Sequence, residues 1–364
     1  MLCFLFDLAL QVCKNITWVW FFHDPAQAKA IAKVWPSNVE LVFVPIKHYS
    51  FKEQLVLPKV FGAAKLDLLH VPHFNIPWFY QGRLWVTIHD LLWHEHRGNQ
   101  VTTLNPGIYW LKYGFYLITV WLAVHRSEKI LVPAQTIRQI VLKYYPEINQ
   151  KIVITPEGVG EDYAVAACQA LKSPLVSHKI ETPETLRLIY TGSLYPHKNL
   201  ALVLRALVNQ PTWQLTLVGS RNIFQNQTIS LATSLGVLDQ ISWRGFLTDL
   251  ELIKLYRQSQ ALVQPSLSEG FGLTGIEAMA AGTLVLAAKI PIFQEVYQTA
   301  AIYFDPHSVT DFVAAVKQLL GLSQTERQAK IQAGLKLSQT YDWAKLTQLT
   351  LETYLTQPKL PALK

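Results

Sequence analysis

The alternation of short, β-branched apolar runs with helical segments constrains this sequence most. Such alternation is typical of βαβ units, whose strands form parallel sheets. Six runs in each half are predicted to be strands. They are residues 16–22, 39–45, 66–72, 84–90, 129–134 and 151–155 in the first half, and 186–192, 214–219, 241–245, 261–266, 283–288 and 301–304 in the second. The sequence therefore predicts an α/β fold built from two Rossmann-like, doubly wound parallel sheets.

The length of the chain predicts two domains, because 364 residues exceed what one ordinary core holds. The polar, proline-containing stretch CQALKSPLVSHKIETPETL is the one that resembles a linker. We predict an N-terminal domain at 1–167, a linker at 168–185, a C-terminal domain at 186–345, and a helix or tail at 346–364 that packs back on the first domain. Ligands of open parallel sheets bind beyond the carboxyl ends of the strands, so the chemistry is expected in a cleft between the domains.

Composition narrows the class of protein and its partners. Half of the residues are apolar and 16% are charged, which predicts a folded chain. The net charge of +7 is spread without a run of like charges, so no nucleic-acid partner is expected, whereas attraction to anionic lipid or phosphorylated ligands stays open. The three cysteines, Cys3, Cys13 and Cys168, show no metal-binding spacing and are expected to be free thiols in a reducing compartment.

Two apolar stretches bear on the location of the protein. The opening MLCFLFDLALQVCKN lacks a basic region and carries Asp7 inside its apolar run, so a cytoplasmic protein is favoured over a secreted one. The stretch at 107–126 is interrupted by Lys112, so a buried helix is favoured there over membrane contact. A peripheral position on the inner face of the membrane stays open.

The stretch PSLSEGFGLTGIEAMAAG, residues 265–282, follows an apolar strand and opens a helix. Its glycines let backbone N–H groups approach a ligand, and the helix dipole favours an anion there. A carboxylate accepts two hydrogen bonds from a vicinal diol, so Glu269 and Glu277 are candidates to hold the two ends of a nucleotide sugar. Two structural alternatives stay open: Thr274 and Glu277 form a capping box, and Glu269 is an ordinary solvated loop residue.

A second strand, glycine turn and helix follow in YTGSLYPHKNLALVLRAL, residues 190–207, where Lys198 is placed to meet a phosphate. Together with WRGFLTDLELIKLY and AIYFDP, in the same order and spacing, these stretches resemble the GT-B glycosyltransferases of the family 4 type, the glycosyl transferases group 1, including mannosyltransferases. The two glutamates around the GFG turn are the most specific part of the resemblance. It covers about 190–345.

The resemblance implies a GT-B fold and a retaining transferase that moves a hexose from a nucleotide-diphosphate sugar to a saccharide or lipid-linked saccharide, with no metal and no cofactor. Glu277 would hold the donor ribose and Glu269 the transferred sugar, while Lys198 would neutralise the leaving pyrophosphate. The implied donor-binding set is Gly192, Ser193, His197, Lys198, Glu269, Gly270, Phe271, Gly272, Leu273, Thr274 and Glu277.

The N-terminal half resembles the family more loosely, in DLLHVPHFNIP and VTIHDLLWH. His89 is expected to act in catalysis with Lys198 and Glu269. His73, Asn75 and Asp90 are expected on the acceptor side. A metal site is a weaker alternative for the cluster His89, Asp90, His94, Glu95 and His96, because the cluster has no HExxH spacing and the chain has no DxD motif.

Two departures from the family pattern limit the resemblance. The family commonly has an arginine near Ser193, and His197 replaces its charge only when protonated, which is partial at pH 7. The family also begins with a strand and a glycine-rich loop, which are missing before MLCFLFDLALQVC. That strand would lie in the middle of the sheet, so we expect the upstream sequence to encode it in frame and the present first domain to be compromised.

Two other functions stay open at this point. A truncated glycosyltransferase would serve as a non-catalytic nucleotide-sugar-binding or scaffold protein. A GT-B epimerase would act on a nucleotide sugar without a separate acceptor. Product analysis separates both from a transferase.

Overall fold

The computed structural model describes residues 16–31, 35–46, 49–98, 102, 105–172, 185–219 and 224–355. Its contacts divide the chain into two units. Unit 1 comprises Met1–His89, Trp110–Glu157 and Trp343–Lys364, and unit 2 comprises Asp90–Tyr109 and Gly158–Asp342. Each unit has sheets of its own.

All twelve predicted strands are present. They are β1 (Trp18–Phe22), β2 (Val39–Phe43), β3 (Leu69–Val71), β4 (Leu84–Thr87), β5 (Lys129–Val132), β6 (Ile152–Ile154), β7 (Leu186–Thr191), β8 (Trp213–Val218), β9 (Ile241–Arg244), β10 (Ala261–Gln264), β11 (Leu284–Ala288) and β12 (Ile302–Phe304). Every strand pair is parallel. The predicted α/β class is therefore confirmed.

Fourteen α-helices lie in the described ranges. They are α1 (Pro25–Ile31), α2 (Phe51–Ala63), α3 (Leu92–Glu95), α4 (Pro106–Arg126), α5 (Gln135–Tyr144), α6 (Glu161–Lys172), α7 (Leu200–Leu207), α8 (Gln225–Ser234), α9 (Asp249–Gln258), α10 (Leu273–Ala280), α11 (Pro291–Tyr297), α12 (Val309–Gly321), α13 (Gln324–Ser338) and α14 (Trp343–Leu355). A 3₁₀ turn, Pro196–Lys198, precedes α7.

Unit 1 contains a two-stranded sheet, β1-β2, and a four-stranded sheet in the order β3-β4-β5-β6. In the described residues β1 pairs only with β2 and β3 only with β4. The opening stretch MLCFLFDLALQVC, before which the family's first strand and glycine-rich loop are missing, lies outside those residues. Residues from Trp343 onward belong to this unit, where the ring of Tyr354 on α14 lies 5.0 Å from that of Trp85 and 6.1 Å from that of Trp18. The Tyr354 hydroxyl also contacts His70 Nδ1.

Unit 2 is built on one six-stranded sheet in the order β12-β11-β10-β7-β8-β9. This is the Rossmann strand order, in which the first and fourth strands of the unit are neighbours. Every residue of β10 and β11 is buried, as expected for central parallel strands covered on both faces. Accordingly, β11 is a continuous apolar run, and β10 is apolar up to the buried Gln264 at its end.

The predicted linker begins too early. Residues 168–172 belong to α6, which packs against α9, α10 and α13 of unit 2, and 173–184 lie outside the described residues. The segment EDYAVAACQALK forms this helix because it places apolar residues on one face. The contact boundary of unit 2 therefore lies at Gly158, before α6 rather than after it.

Candidate functional site

The predicted donor residues lie on the two segments that follow β7 and β10. These strands are adjacent in the sheet, although the chain continues from β7 to β8 on one side and from β10 to β11 on the other. Open α/β sheets bind ligands at such a switch point, because the two segments leave in opposite directions. Residues 192–199 follow β7, and 265–277 follow β10.

Lys198 and Glu269 form an ion pair at this switch point. Lys198 Nζ lies 2.7 Å from Glu269 Oε1, and the two side chains are 20% and 16% exposed. Ser266 Oγ donates to the same carboxylate oxygen at 2.8 Å. The pair is largely withdrawn from water, so its electrostatic interaction is less screened than that of a surface pair. Both predicted catalytic groups of unit 2 therefore meet at one point.

Hydrogen bonds between the two segments hold the turn that carries the lysine. The Leu267 N–H donates to the His197 carbonyl oxygen at 2.8 Å. Asn199, with φ 55°, directs its side-chain amide to the carbonyl oxygens of Pro265 at 3.1 Å and Pro306 at 2.8 Å. The hydrogen bonds of the turn thus fix the backbone from which the lysine side chain extends.

The glycine turn is shaped by a tyrosine behind it. Gly272 has φ +96°, and a Cβ atom there would lie 2.3 Å from the Tyr297 hydroxyl and 2.8 Å from Phe293 Cε1. The Tyr297 hydroxyl donates to the Gly272 carbonyl oxygen at 2.6 Å. A Cβ at Gly275 would lie 2.4 Å from the same ring. Glycine is required at both positions, because a Cβ atom there would collide with Tyr297.

The capping box predicted as an alternative for Thr274 and Glu277 is not formed. The N-cap of α10 is Gly272, so the helix begins before Thr274. The Thr274 hydroxyl instead contacts the side-chain amide of Gln264. Glu277 therefore does not cap the start of α10.

Glu277 lies in a different environment from Glu269. Burial, and the nearby carboxylate of Asp249 at the start of α9, raise its pKa to about 7. Burial, with the charge of Glu277, also raises the pKa values of Tyr163 and Tyr256. Residues from α6, α9 and α10 thus surround this carboxyl group. Asp249 was missed by the sequence reasoning, because an acid in the first turn of a helix is explained by the helix dipole alone.

The other predicted donor residues lie just after β7 and in the glycine turn. Gly192 has φ +146°, and the neighbouring Ser193 carbonyl oxygen accepts a hydrogen bond from the Tyr190 hydroxyl. His197 is buried, which places it under the turn rather than on its surface. The Phe271 ring packs edge-on against Tyr341 at 5.3 Å. Gly270 and Leu273 flank this part of the turn.

In unit 1, the predicted acceptor-side residues His73 and Asn75 contact each other. His73 Nδ1 accepts a hydrogen bond from the Asn75 backbone N–H at 3.2 Å. The Asn75 side-chain amide donates to Glu53 Oε1 at 3.1 Å. These contacts order the segment after β3, which is where the resemblance placed an acceptor loop. In unit 2, Asp90 Oδ1 accepts from the Leu92 N–H at 3.0 Å, a local turn contact just before α3.

His89 has a carboxylate partner that the sequence did not suggest. Its Nδ1 lies 2.8 Å from Glu157 Oε1, and its Nε2 lies 3.3 Å from the Pro72 carbonyl oxygen. The contact of Nδ1 with Glu157 orients the imidazole. His89 and Glu157 line a small cavity with His70, whose pKa burial lowers to about 4, with His89 contributing.

The residues weighed as a metal site do not come together. Among the residues whose placement the structure gives, no three histidine, cysteine, aspartate or glutamate side chains form a metal-ligand group. His94 is buried, and burial, with Arg97, lowers its pKa to about 4.

Comparison with known proteins identifies the family that part of the chain matches. Residues 177–336 match the family described as Glycosyl transferases group 1. The chain is 28% identical over 236 residues to the serotype-specific mannosyltransferase WbdA of Escherichia coli, which covers 63% of this chain and 29% of WbdA. It is 24% identical over 279 residues to the O-antigen chain mannosyltransferase RfbU of Salmonella typhimurium strain LT2, covering 76% of this chain and 71% of RfbU.

The fold is shared over nearly the whole chain with Anabaena Alr3699/HepE, solved in complex with UDP and glucose. The TM-score is 0.72 at 17% identity, covering 98% of this chain and 95% of that one. The chain spans less than a third of the length of WbdA. With its GT-B fold and its matching motifs, the chain carries, over residues 177–336, a domain of the glycosyl transferases group 1 family.

Proposed function

We propose that this protein is a retaining glycosyltransferase that moves a hexose from a nucleotide-diphosphate sugar to a saccharide or lipid-linked saccharide. The observation that carries the proposal is the Lys198–Glu269 pair, 2.7 Å apart, beside the glycine turn at the switch point of the sheet. A cation and a carboxylate at one point suit a donor that is anionic at its diphosphate and rich in hydroxyl groups at its sugar.

Each group has a separate role in this proposal. Lys198 neutralises the charge that develops on the diphosphate as the bond to the sugar C1 breaks and the nucleoside diphosphate leaves. Glu269 accepts hydrogen bonds from the transferred sugar, and Glu277 from the ribose. The backbone of Phe271, Gly272 and Leu273 contacts the diphosphate. With this lysine the reaction would need neither a metal ion nor a cofactor.

His89 belongs to the acceptor side of the proposal, together with His73, Asn75 and Asp90. Glu157 orients the imidazole through Nδ1. A saccharide hydroxyl is a suitable hydrogen-bond partner for the His89 imidazole.

Mannose is the proposed hexose, because WbdA and RfbU are both named mannosyltransferases. HepE, in contrast, was solved with UDP and glucose, so the nucleotide remains the first thing to test. The non-catalytic scaffold is not favoured, since both glutamates and the lysine are present and the lysine is paired. A lipid-linked acceptor would place the enzyme in the cytoplasm, at the inner face of the membrane.

The test is a thermal-shift screen across GDP-, UDP- and ADP-sugars, with Glu277→Gln as the matched variant. A ligand at about 100 times its Kd adds roughly 2.7 kcal/mol to the domain that binds it. For a domain of this size that corresponds to about 5–10 °C. One nucleotide class should raise the melting temperature of the wild type more than that of the variant. A flat response to every donor would contradict the proposal.

A further inference from the structure

Two helices of unit 1 expose large apolar side chains to solvent. On α2, Phe51 is 73% exposed and Leu55 is 62% exposed. On α4, the exposed fractions are 54% for Trp110, 65% for Leu111, 48% for Ile118 and 51% for Trp121. We call these six residues the α2–α4 surface. The sequence favoured a buried helix at 107–126, but the face of α4 that carries these four residues is exposed to solvent.

The opposite face of α4 belongs to the core. Val120, Ala123 and Val124 have no exposed surface. By length and composition α4 is the one helix in the described ranges that could cross a membrane. Its buried face is already covered by protein, so the helix can present only its outer face to a lipid.

The two helices form one continuous surface. The rings of Phe51 on α2 and Phe115 on α4 meet edge to face at 5.5 Å. Phe115 lies one helical turn from both Leu111 and Ile118, so the exposed stripe of α4 runs directly beside Phe51. Trp78 connects the two helices, since its backbone N–H donates to Gln54 Oε1 on α2 at 2.7 Å and its ring stacks on Phe115 of α4 at 5.8 Å.

The charges on the same helices are positive. Lys52 and Lys59 on α2 and Lys112 on α4 are all exposed. The sole acid of α2, Glu53, is buried, and its carboxylate accepts hydrogen bonds from the Tyr49 N–H at 2.6 Å and the Asn75 amide at 3.1 Å. The residues of α4 include no acid. The surface therefore combines apolar and aromatic side chains with uncompensated lysines.

We infer that the α2–α4 surface docks on an anionic lipid bilayer. Stable peripheral attachment needs two signals, and here the apolar side chains supply one and the lysines the other. Two tryptophans suit the headgroup level, where an amphipathic ring meets both apolar and polar surroundings. A second copy of the chain is the less suitable occupant, because an isologous contact would bring like-charged lysines together. The inference rests on the proposed function only in that a lipid-linked acceptor would lie at such a bilayer.

The test is sedimentation of the whole protein with vesicles of phosphatidylcholine alone, or of phosphatidylcholine mixed with phosphatidylglycerol. The protein should bind the mixed vesicles much more tightly, and added salt should weaken the binding because it screens the lysines. Absence of binding to the mixed vesicles would overturn the inference.

Two double variants test the two signals separately. Lys52→Ala with Lys59→Ala should weaken vesicle binding on the order of 30-fold. Leu55→Ser with Ile118→Ser should weaken it by about tenfold or more. The matched controls are Lys254→Ala with Lys317→Ala, and Val208→Ser with Leu320→Ser, which change exposed residues of unit 2 and should leave the binding unchanged. Equal losses in the test variants and in their controls would contradict the assignment of the surface.

Two further measurements keep the outcomes distinct. Size-exclusion chromatography of the wild type and of the Leu55→Ser with Ile118→Ser variant reports the second-copy alternative, since a dimer that the variant converts to a monomer would overturn the inference. Thermal shifts with donor should be the same in all four variants, because none of the substituted residues belongs to the predicted donor-binding set. Vesicle binding without any donor response would therefore count against the proposed function and leave the lipid surface standing.

Discussion

At the scale of single residues, the ion pair of Lys198 and Glu269 decides what the site can do. Both side chains are held by neighbours, the lysine through the backbone of its turn and the glutamate through Ser266. A diphosphate that binds the lysine has to share it with a carboxylate. The lysine is therefore positioned before any ligand contact, and its removal should affect the reaction more than the fold.

Lys198→Ala should lower turnover by about 10- to 150-fold, equivalent to losing a charged hydrogen bond of roughly 1.5–3 kcal/mol. The measurement is the initial rate of donor turnover at saturating donor. Lys254→Ala, at an exposed lysine of α9, is the control and should keep the wild-type rate. A wild-type rate in Lys198→Ala would show that the lysine does not stabilise the leaving group.

Glu277 should make donor affinity depend on pH. Its pKa of about 7 means that the carboxylate, which in the proposed donor complex accepts from the ribose hydroxyls, forms only as the pH rises through that value. Donor should bind about tenfold more tightly one unit above this pKa than one unit below it. Titration calorimetry across this range measures the effect. Glu277→Gln should bind weakly at every pH, and a pH-independent affinity in the wild type would contradict the assignment.

Glu277 has the opposite effect on the stability of the fold, which should fall as the pH rises. Its pKa is raised in the folded state, so the folded protein binds the proton more tightly than the unfolded chain does. The resulting stabilisation is complete below the unfolded pKa of about 4.5 and is lost as the pH rises through about 7. Denaturant titrations should show this loss in the wild type and not in Glu277→Gln.

At the scale of elements, the start of α10 depends on Gly272. Gly272→Ala should lower the free energy of unfolding by about 2–5 kcal/mol, because the residue has a positive φ and the new Cβ would collide with Tyr297 and Phe293. Chemical denaturation measures the change. Gly321→Ala is the control: at the end of α12 nothing lies within 4 Å of the added Cβ, so the stability should be unchanged or up to about 1 kcal/mol higher. Equal stability of the two variants would show that the turn adapts to a side chain.

The elements themselves were predictable, whereas their ends and caps were less so. All twelve strands were found, because a central parallel strand reads as a short apolar run. Most strands end earlier than predicted, since the pattern does not mark where pairing stops. A capping box was one alternative for Thr274 with Glu277, but the boxes that form in the described residues are those of Thr248 with Glu251 and Ser323 with Glu326. The conformation of Gly272 moved the start of α10, and no local signal shows that conformation.

The sequence predicted which residues belong to the candidate site, but not which partners those residues contact. The motifs identified Lys198 and Glu269, and the sheet order brings their segments side by side. The partners Asp249 for Glu277 and Glu157 for His89 come from distant segments. Such contacts depend on tertiary packing, which composition and spacing do not encode.

At the scale of the whole molecule, the donor should protect the segments after β7 and β10. Hydrogen–deuterium exchange in residues 192–199 and 265–277 should slow when a donor binds, because backbone groups there gain partners and open less often. The four-stranded sheet of unit 1, β3 to β6, is the internal reference. Protection confined to the segment around His89, with none after β7 and β10, would contradict the proposed donor site.

The placement of α14 has a consequence for the order in which the protein is made. Unit 1 takes its first residues from the start of the chain and its last from Trp343 onward, and the contact between His70 and Tyr354 joins residues 284 positions apart. A ribosome that has delivered residues up to Asp342 has supplied every segment of unit 2, whereas unit 1 still lacks α14. Unit 1, most of which is translated first, should therefore reach its native state after unit 2, because loops this long are slow to close. Until α14 emerges, the aromatic side chains that Tyr354 covers are exposed to chaperones and to aggregation.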